Sequence, residues 1–219
     1  MLFYDIVRQT RLPAGISAVD ADNCYDRIAH PIASMIFQSL GIQKPAVVSM
    51  LSTILDMKFY LRTGFGDSKA YAGATGGVKT QELCQGNGAA PAEWTVTSIA
   101  MIQAHKRKGR GVHLYCPISK KKMHLAGTLF VDNTDLEHFD VTKNETVLDA
   151  HEALQTSILN WGRGLIATGG ALKPSKCFIT LYLSPGSQMD HGDMTKMRRS
   201  WNYLLWSRYL MVLMHQSST

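Results

Sequence analysis

Pro31, Gly41 and Pro45 decide what the first part of this chain can fold into. Proline fits the opening turn of a helix but not its interior, where the missing N–H and the ring clash break the ladder. Glycine just past an apolar periodic run stops a helix. Between these marks Ile32, Met35, Ile36, Phe37 and Leu40 recur at helical spacing, and beyond Pro45 so do Val47, Val48, Met50, Leu51, Ile54 and Leu55. The pattern predicts a helical hairpin. Before it, "GISAVDAD" (15–22) alternates small and β-branched residues and predicts a strand ending near Asp20.

Downstream, "MKFYLRT" (57–63) predicts a strand entering a glycine-rich loop or hairpin turn at 64–77, and a helix follows from about Ala89 to Lys108 with Trp94, Ile99, Met101 and Ile102 as core candidates. "GVHLYC" (111–116) and "LAGTLFVD" (125–132) flank the "SKKKM" turn and predict an antiparallel hairpin. A further helix is expected over 145–162, a strand over "KCFITLYL" (176–183), and a polar loop over 184–199. "WNYLLWSRYLMVLM" (201–214) reads as a buried or partner-seeking helix, since Ser207 and Arg208 interrupt it and it falls short of the roughly 20 residues of a spanning helix. Strands paired as hairpins with helices on one face make an α+β domain around an antiparallel sheet. With 219 residues, 45% of them hydrophobic, one sizeable core is within reach.

The net charge of +6 is concentrated in "HKRKGR" (105–110) and "KKKMH" (120–124), which suits a polyanionic partner as well as ordinary solvated charge. Cys24, Cys84, Cys116 and Cys177 are widely spaced with no CxxC pair, so neither a zinc knuckle nor a disulfide framework is expected. With no signal peptide apparent, a reduced, intracellular protein fits best and no membrane partner is expected.

Asp20 closes one expected strand, and Asp132 falls at the end or turn of another. If those strands are neighbours, the carboxylates converge at one edge, where hard oxygen ligands suit Mg²⁺ or Mn²⁺. Two such ions about 3.5–4 Å apart serve phosphoryl transfer by activating one oxygen and stabilising another. The competing expectation is that each aspartate is a turn former bonding local backbone N–H groups.

Four stretches bear on that choice. "VDADNCYD" (19–26) resembles the first palm motif of reverse transcriptases, an apolar strand ending in aspartate with an aromatic residue soon after. "CQGNGAAPAEW" (84–94) is similar to the second, a Gln-Gly turn before a helix-opening proline. "LFVDNTDL" (129–136) resembles the third, an aromatic residue, any residue and then paired aspartates in a β-turn, and "TGGALKPSKC" (168–177) resembles the later segment that carries a lysine. Their order matches retroelement reverse transcriptases over roughly residues 16–183.

The resemblance implies a palm-like domain over 1–183, with the C-terminal loop and apolar helix of 184–219 unassigned. It implies an RNA template, a DNA primer and deoxynucleotides as partners, and two Mg²⁺ or Mn²⁺ ions held by Asp20 and Asp132. The Ala21 carbonyl becomes a further ligand, Tyr25 a gate against the ribose 2′-hydroxyl, Gln85 and Gly86 contacts to nucleotide and template, and Lys176 the group that protonates or neutralises leaving pyrophosphate. Arg107, Lys108, Arg110 and Lys120–Lys122 would track phosphates, while Asp26 and Asp135 are expected to be structural or helix-capping acids.

Two departures qualify the match. Asn133 stands where the family usually has a second aspartate, and its amide oxygen can coordinate a cation without contributing charge. Only 19 residues precede Asp20 and few follow position 183, so fingers and thumb are expected to be largely missing, as in a palm fragment of a longer polyprotein. A binding remnant without activity is the alternative expectation; a metal-dependent nuclease lacks an evident general base beside the aspartates.

Overall fold

The computed structural model describes residues 2–69, 87–108, 111–116, 118–141, 145–183 and 208–213. It is a mixed α+β structure with a mostly antiparallel sheet, and its chain divides into two units. The first comprises residues 1–22, 101–165 and 172–219; the second comprises 23–100 and 166–171.

The first unit is built on a sheet in which β1 (Ala14–Asp20) is central. It pairs antiparallel with β7 (Asn133–Asp140) on one side and with β8 (Phe178–Leu183) on the other. Beyond β7 come β4 (Val112–Tyr115) and β5 (Lys122–Leu125), while β6 (Thr128–Phe130) forms a hairpin with the start of β7. Two pairings are parallel, β4 with β7 and β8 with β9 (Arg208–Leu213).

Alternation along the strands sends successive side chains to opposite faces. Ala14 and Ile16 of β1, Phe139 of β7 and Tyr182 of β8 share a face with Phe3 and Val7 of α1 (Leu2–Thr10). Phe3 meets Phe139 and Tyr182 edge-on at centroid distances of 6.5 and 6.1 Å, the geometry that ring quadrupoles favour. On the opposite face lie Gly15, Ser17, Leu136, Ile179 and Leu181, all of them buried. Gly15 is required there by close approach: a Cβ would stand 2.5 Å from Leu154 Cδ1 and 2.8 Å from the Thr180 carbonyl oxygen.

Leu154 belongs to α5 (Val147–Thr168), whose Ala150, Ala153, Leu154, Ser157, Ile158, Trp161 and Leu165 are buried at helical spacing. A capping box starts this helix. The Asp149 carboxylate accepts from the Thr146 backbone N–H at 2.8 Å, and the Thr146 hydroxyl oxygen accepts from the Asp149 N–H at 3.2 Å.

In the second unit α2 (His30–Ser39) and α3 (Lys44–Leu55) form the expected helical hairpin, each with proline in its first turn. Gly41 between them takes φ +88°, open to glycine at little cost. Arg62–Thr63 and Gly66–Asp67, β2 and β3, make a short hairpin closed by an Arg62 Nε to Asp67 contact of 2.8 Å. The helix α4 (Ala90–Lys106) matches the expected one over 89–108. No helix among the described residues is long and apolar enough to cross a membrane.

Six expectations need correction. The partner of 112–115 is Lys122–Leu125, not the stretch that ends in Asp132. Of "MKFYLRT" only Arg62 and Thr63 join a strand. Residues 208–213 of the apolar C-terminal segment form a strand and not a helix. The Lys176 end of the expected strand is a 3₁₀ turn, Pro174–Lys176, and α5 runs six residues past 162. Helices lie on both faces of the sheet and not on one, because α1 covers the Phe139 face and α5 the Gly15 face. The polar loop expected over 184–199 lies outside the described residues.

Candidate active site at the end of β1

The register of the sheet assembles this site. Asp20, last residue of β1, stands opposite Asn133, the first of β7. Phe130 pairs with Asn133, so the β6–β7 hairpin turns on two residues, Val131 and Asp132. The Asp132 carbonyl accepts a hydrogen bond from the Ala21 N–H at 3.1 Å, which brings the backbones that carry Asp20 and Asp132 into direct contact.

Tight two-residue turns demand positive φ, usually supplied by glycine or asparagine. Here Val131 supplies it at φ +54°. A β-branched residue in the left-handed region is a true outlier, costing on the order of 1–3 kcal/mol, and such strain gathers at functional sites. Asn133 turns its amide nitrogen toward Asp132 Oδ1 at 3.4 Å, a long contact on an exposed side chain.

Asp20 is 4% exposed, and its Oδ2 accepts from Lys176 Nζ at 3.0 Å. The lysine is held near by its own segment: Ala21 is bridged to Leu172, and the Lys173 N–H donates to the Asp20 carbonyl at 2.9 Å. Lys173 Nζ in turn stands 3.8 Å from Asp22 Oδ1. The hydrogen bond to Asp20 raises the Lys176 pKa above the ordinary lysine value, helped by the charges of Asp20, Asp132 and Asp22. Of the two expected metal-binding carboxylates, Asp20 holds this ammonium directly, and the charge of Asp132 adds to the field it feels.

The donor set is of the right chemistry for a hard divalent ion. Asp20 and Asp132 offer carboxylate oxygens at adjoining strand ends. Among the described residues no three His, Cys, Asp or Glu side chains form a group able to hold a metal ion. Mg²⁺ is commonly held by one or two carboxylates plus water and substrate phosphate oxygens, so a pair fits such an ion without a protein cage.

The remaining expected residues divide. Tyr25 lies half-buried in the turn after β1, within the second unit. Gln85, Gly86 and Arg110 lie outside the described residues, as does Cys84. Arg107, Lys108 and Lys120–Lys122 are exposed, the lysines on the β4–β5 hairpin. Cys24, Cys116 and Cys177 are not joined in disulfides. Asp135 is no helix cap: it sits within β7 with its side chain exposed, and partial desolvation raises its pKa. Asp22 and Lys173, the outer ion pair of the site, were not foreseen, although both flank residues already singled out in "VDAD" and "LKPSK". No protein-family model matches the chain, and no curated protein matches it.

Proposed function

We propose that this chain is a palm-like nucleotidyltransferase of the RNA-directed DNA polymerase type, acting on an RNA template, a DNA primer and deoxynucleotides. The observation that carries this reading is the backbone contact that brings the end of β1 carrying Asp20 to the turn carrying Asp132, with Lys176 bonded to Asp20. In the reaction the primer 3′-hydroxyl attacks the α-phosphate of a deoxynucleotide, and the bond to pyrophosphate breaks. Bound divalent ions, two Mg²⁺ or Mn²⁺, would supply charge neutralisation for the attacking and leaving oxygens. The protein's share is positioning. Register fixes the two carboxylates, the strained turn presents Asp132, and Lys176 contributes a positive charge beside them. The exposed Lys120–Lys122 hairpin offers a phosphate-binding surface, which makes binding steeply salt dependent.

Primer extension on an RNA template with Mg²⁺ or Mn²⁺ tests the reading. Incorporation that Asp132→Ala abolishes supports it, and incorporation that Asp132→Ala leaves unchanged refutes the site. Asn133→Asp adds a carboxylate to the turn and should raise turnover.

A second reading is favoured by Asn133 itself, a neutral amide beside Asp132 where the family pattern has a carboxylate. A site with one charge fewer than the family pattern suits a nucleic-acid-binding protein with weak or no catalysis. RNA or DNA binding that salt weakens, with no metal-dependent incorporation, would favour it.

A further inference from the structure

We propose that Lys176 is a tethered counter-cation of the carboxylate pair, so that a divalent ion gains Asp20 only by displacing the ammonium. The proposal rests on the reading that Asp20 and Asp132 hold such ions. The Asp20 side chain is 6% exposed, and the only salt bridge it makes among the described residues is to Lys176 at 3.0 Å. A carboxylate so far removed from water is costly to keep ionised without a compensating cation, so its charged form favours having one positive charge at hand. Binding at this oxygen is accordingly an exchange of one cation for another.

The two ends of the ion pair differ in a way that permits the exchange. Asp20 is fixed in β1, whereas the Lys176 side chain is 55% exposed on a flexible four-carbon stem and can swing into water. Its backbone cannot leave. The Lys173 N–H on the Asp20 carbonyl, the Ala21–Leu172 bridge, and the Lys176 and Cys177 N–H groups bonded to Lys173 and Pro174 hold the segment against β1. The ammonium thus stays at high local concentration and rebinds whenever the ion departs. Lys173 provides an internal comparison: a lysine of the same segment that meets Asp20 only through its backbone N–H, with its ammonium 3.8 Å from Asp22.

Mn²⁺ binding to the full chain, followed through the paramagnetic resonance signal of the free ion, tests this. Lys176→Met should tighten binding about tenfold, a partly solvent-screened value for one nearby charge. Lys176→Arg should keep the wild-type affinity, Lys173→Met should change it less than about threefold, and Asp20→Asn should abolish binding. In the wild-type chain the Lys176 side-chain NMR signal should shift on Mg²⁺ titration with the midpoint of binding, which decides the matter if Lys176→Met does not fold. If Asp20-dependent Mn²⁺ binding occurs, but Lys176→Met leaves it unchanged or the Lys176 signal stays still, the counter-cation proposal is overturned and the metal reading survives. If no variant binds Mn²⁺ through Asp20, the metal reading itself fails and the proposal with it.

Discussion

Glu137 is the least comfortable carboxylate of the sheet, and replacing it should stabilise the protein. It projects from the middle of β7 opposite Ile16 and is 8% exposed, with Oε2 lacking any hydrogen-bond partner. Burial raises its pKa most, the neighbouring Asp135 charge raises it further, and a hydrogen bond from Thr128 partly offsets both. An unsatisfied buried polar group costs about 1–3 kcal/mol and more when charged, and it is the added cost of the charge that a neutral amide removes. The sign follows from linkage: with the folded pKa above the unfolded one, the folded state is unpenalised while both forms are protonated. The penalty grows as pH rises from about 4.3, the ordinary glutamate value, through the raised folded value, and is constant above it. Glu137→Gln removes the charge while keeping an oxygen for Thr128. It should gain about 1–2 kcal/mol at pH 7 and almost nothing at pH 4, a rise in Tm of about 2–8 °C for a chain of this size. Urea unfolding of both proteins from pH 4 to 8 measures the difference directly, free of the other titrating groups common to both. A variant that is less stable at pH 7, or a difference that does not change with pH, would refute the desolvation argument.

Three further outcomes are expected. Gly15→Ala should cost about 1–3 kcal/mol, because the new methyl meets the Thr180 backbone oxygen as well as Leu154; an unchanged thermal midpoint would show that β1 and β8 can separate freely. His151 is 2% exposed and burial lowers its pKa to about 4, below the unfolded value of 6.5. Its contribution is full above pH 6.5 and is lost as pH falls toward 4, on the order of 3 kcal/mol in all, so His151→Gln should flatten the stability profile between pH 6.5 and 4 in urea titrations. Thr146→Ala removes the hydroxyl of the α5 capping box and should cost about 1 kcal/mol by chemical denaturation, whereas Thr146→Ser should cost far less.

What the sequence disclosed and what it hid follow one physical line. The helical hairpin was legible because proline and glycine act locally, and β1 because small and β-branched residues alternate up to a carboxylate. The partner of β4 was not. Lys122–Leu125 is an edge strand with most of its residues exposed, and the charge that protects such an edge also erases the apolar signal by which strands are recognised. β7 was hidden for a different reason. "NTDLEHFD" carries four titratable side chains in eight positions, a composition poor in strand formers, and only pairing on both sides makes it a strand. Residues 208–213 form an apolar run of the kind whose period cannot separate a buried helix from a buried strand.

The candidate site was legible in part because it is a by-product of core register. Sliding β1 by one residue against β7 would carry Asp20 to the opposite face of the sheet, and would at the same time expose Val19 and drive the Gly15 position against a different neighbour. The core therefore forbids the slip, and the carboxylate is held in place by apolar residues that never touch it. Lys176 depends on a second and longer chain of constraints: the β1–β8 register, the 3₁₀ turn, and the backbone bonds of Leu172 and Lys173 to β1. None of these has a local sequence signature. A lysine three positions from another in "LKPSK" could be anywhere on the surface until the strand after it is placed. Once it is placed, the same register that aligns Asp20 with the Asp132 turn also sets a cation against Asp20, so the carboxylate and its counter-charge arise from a single packing solution.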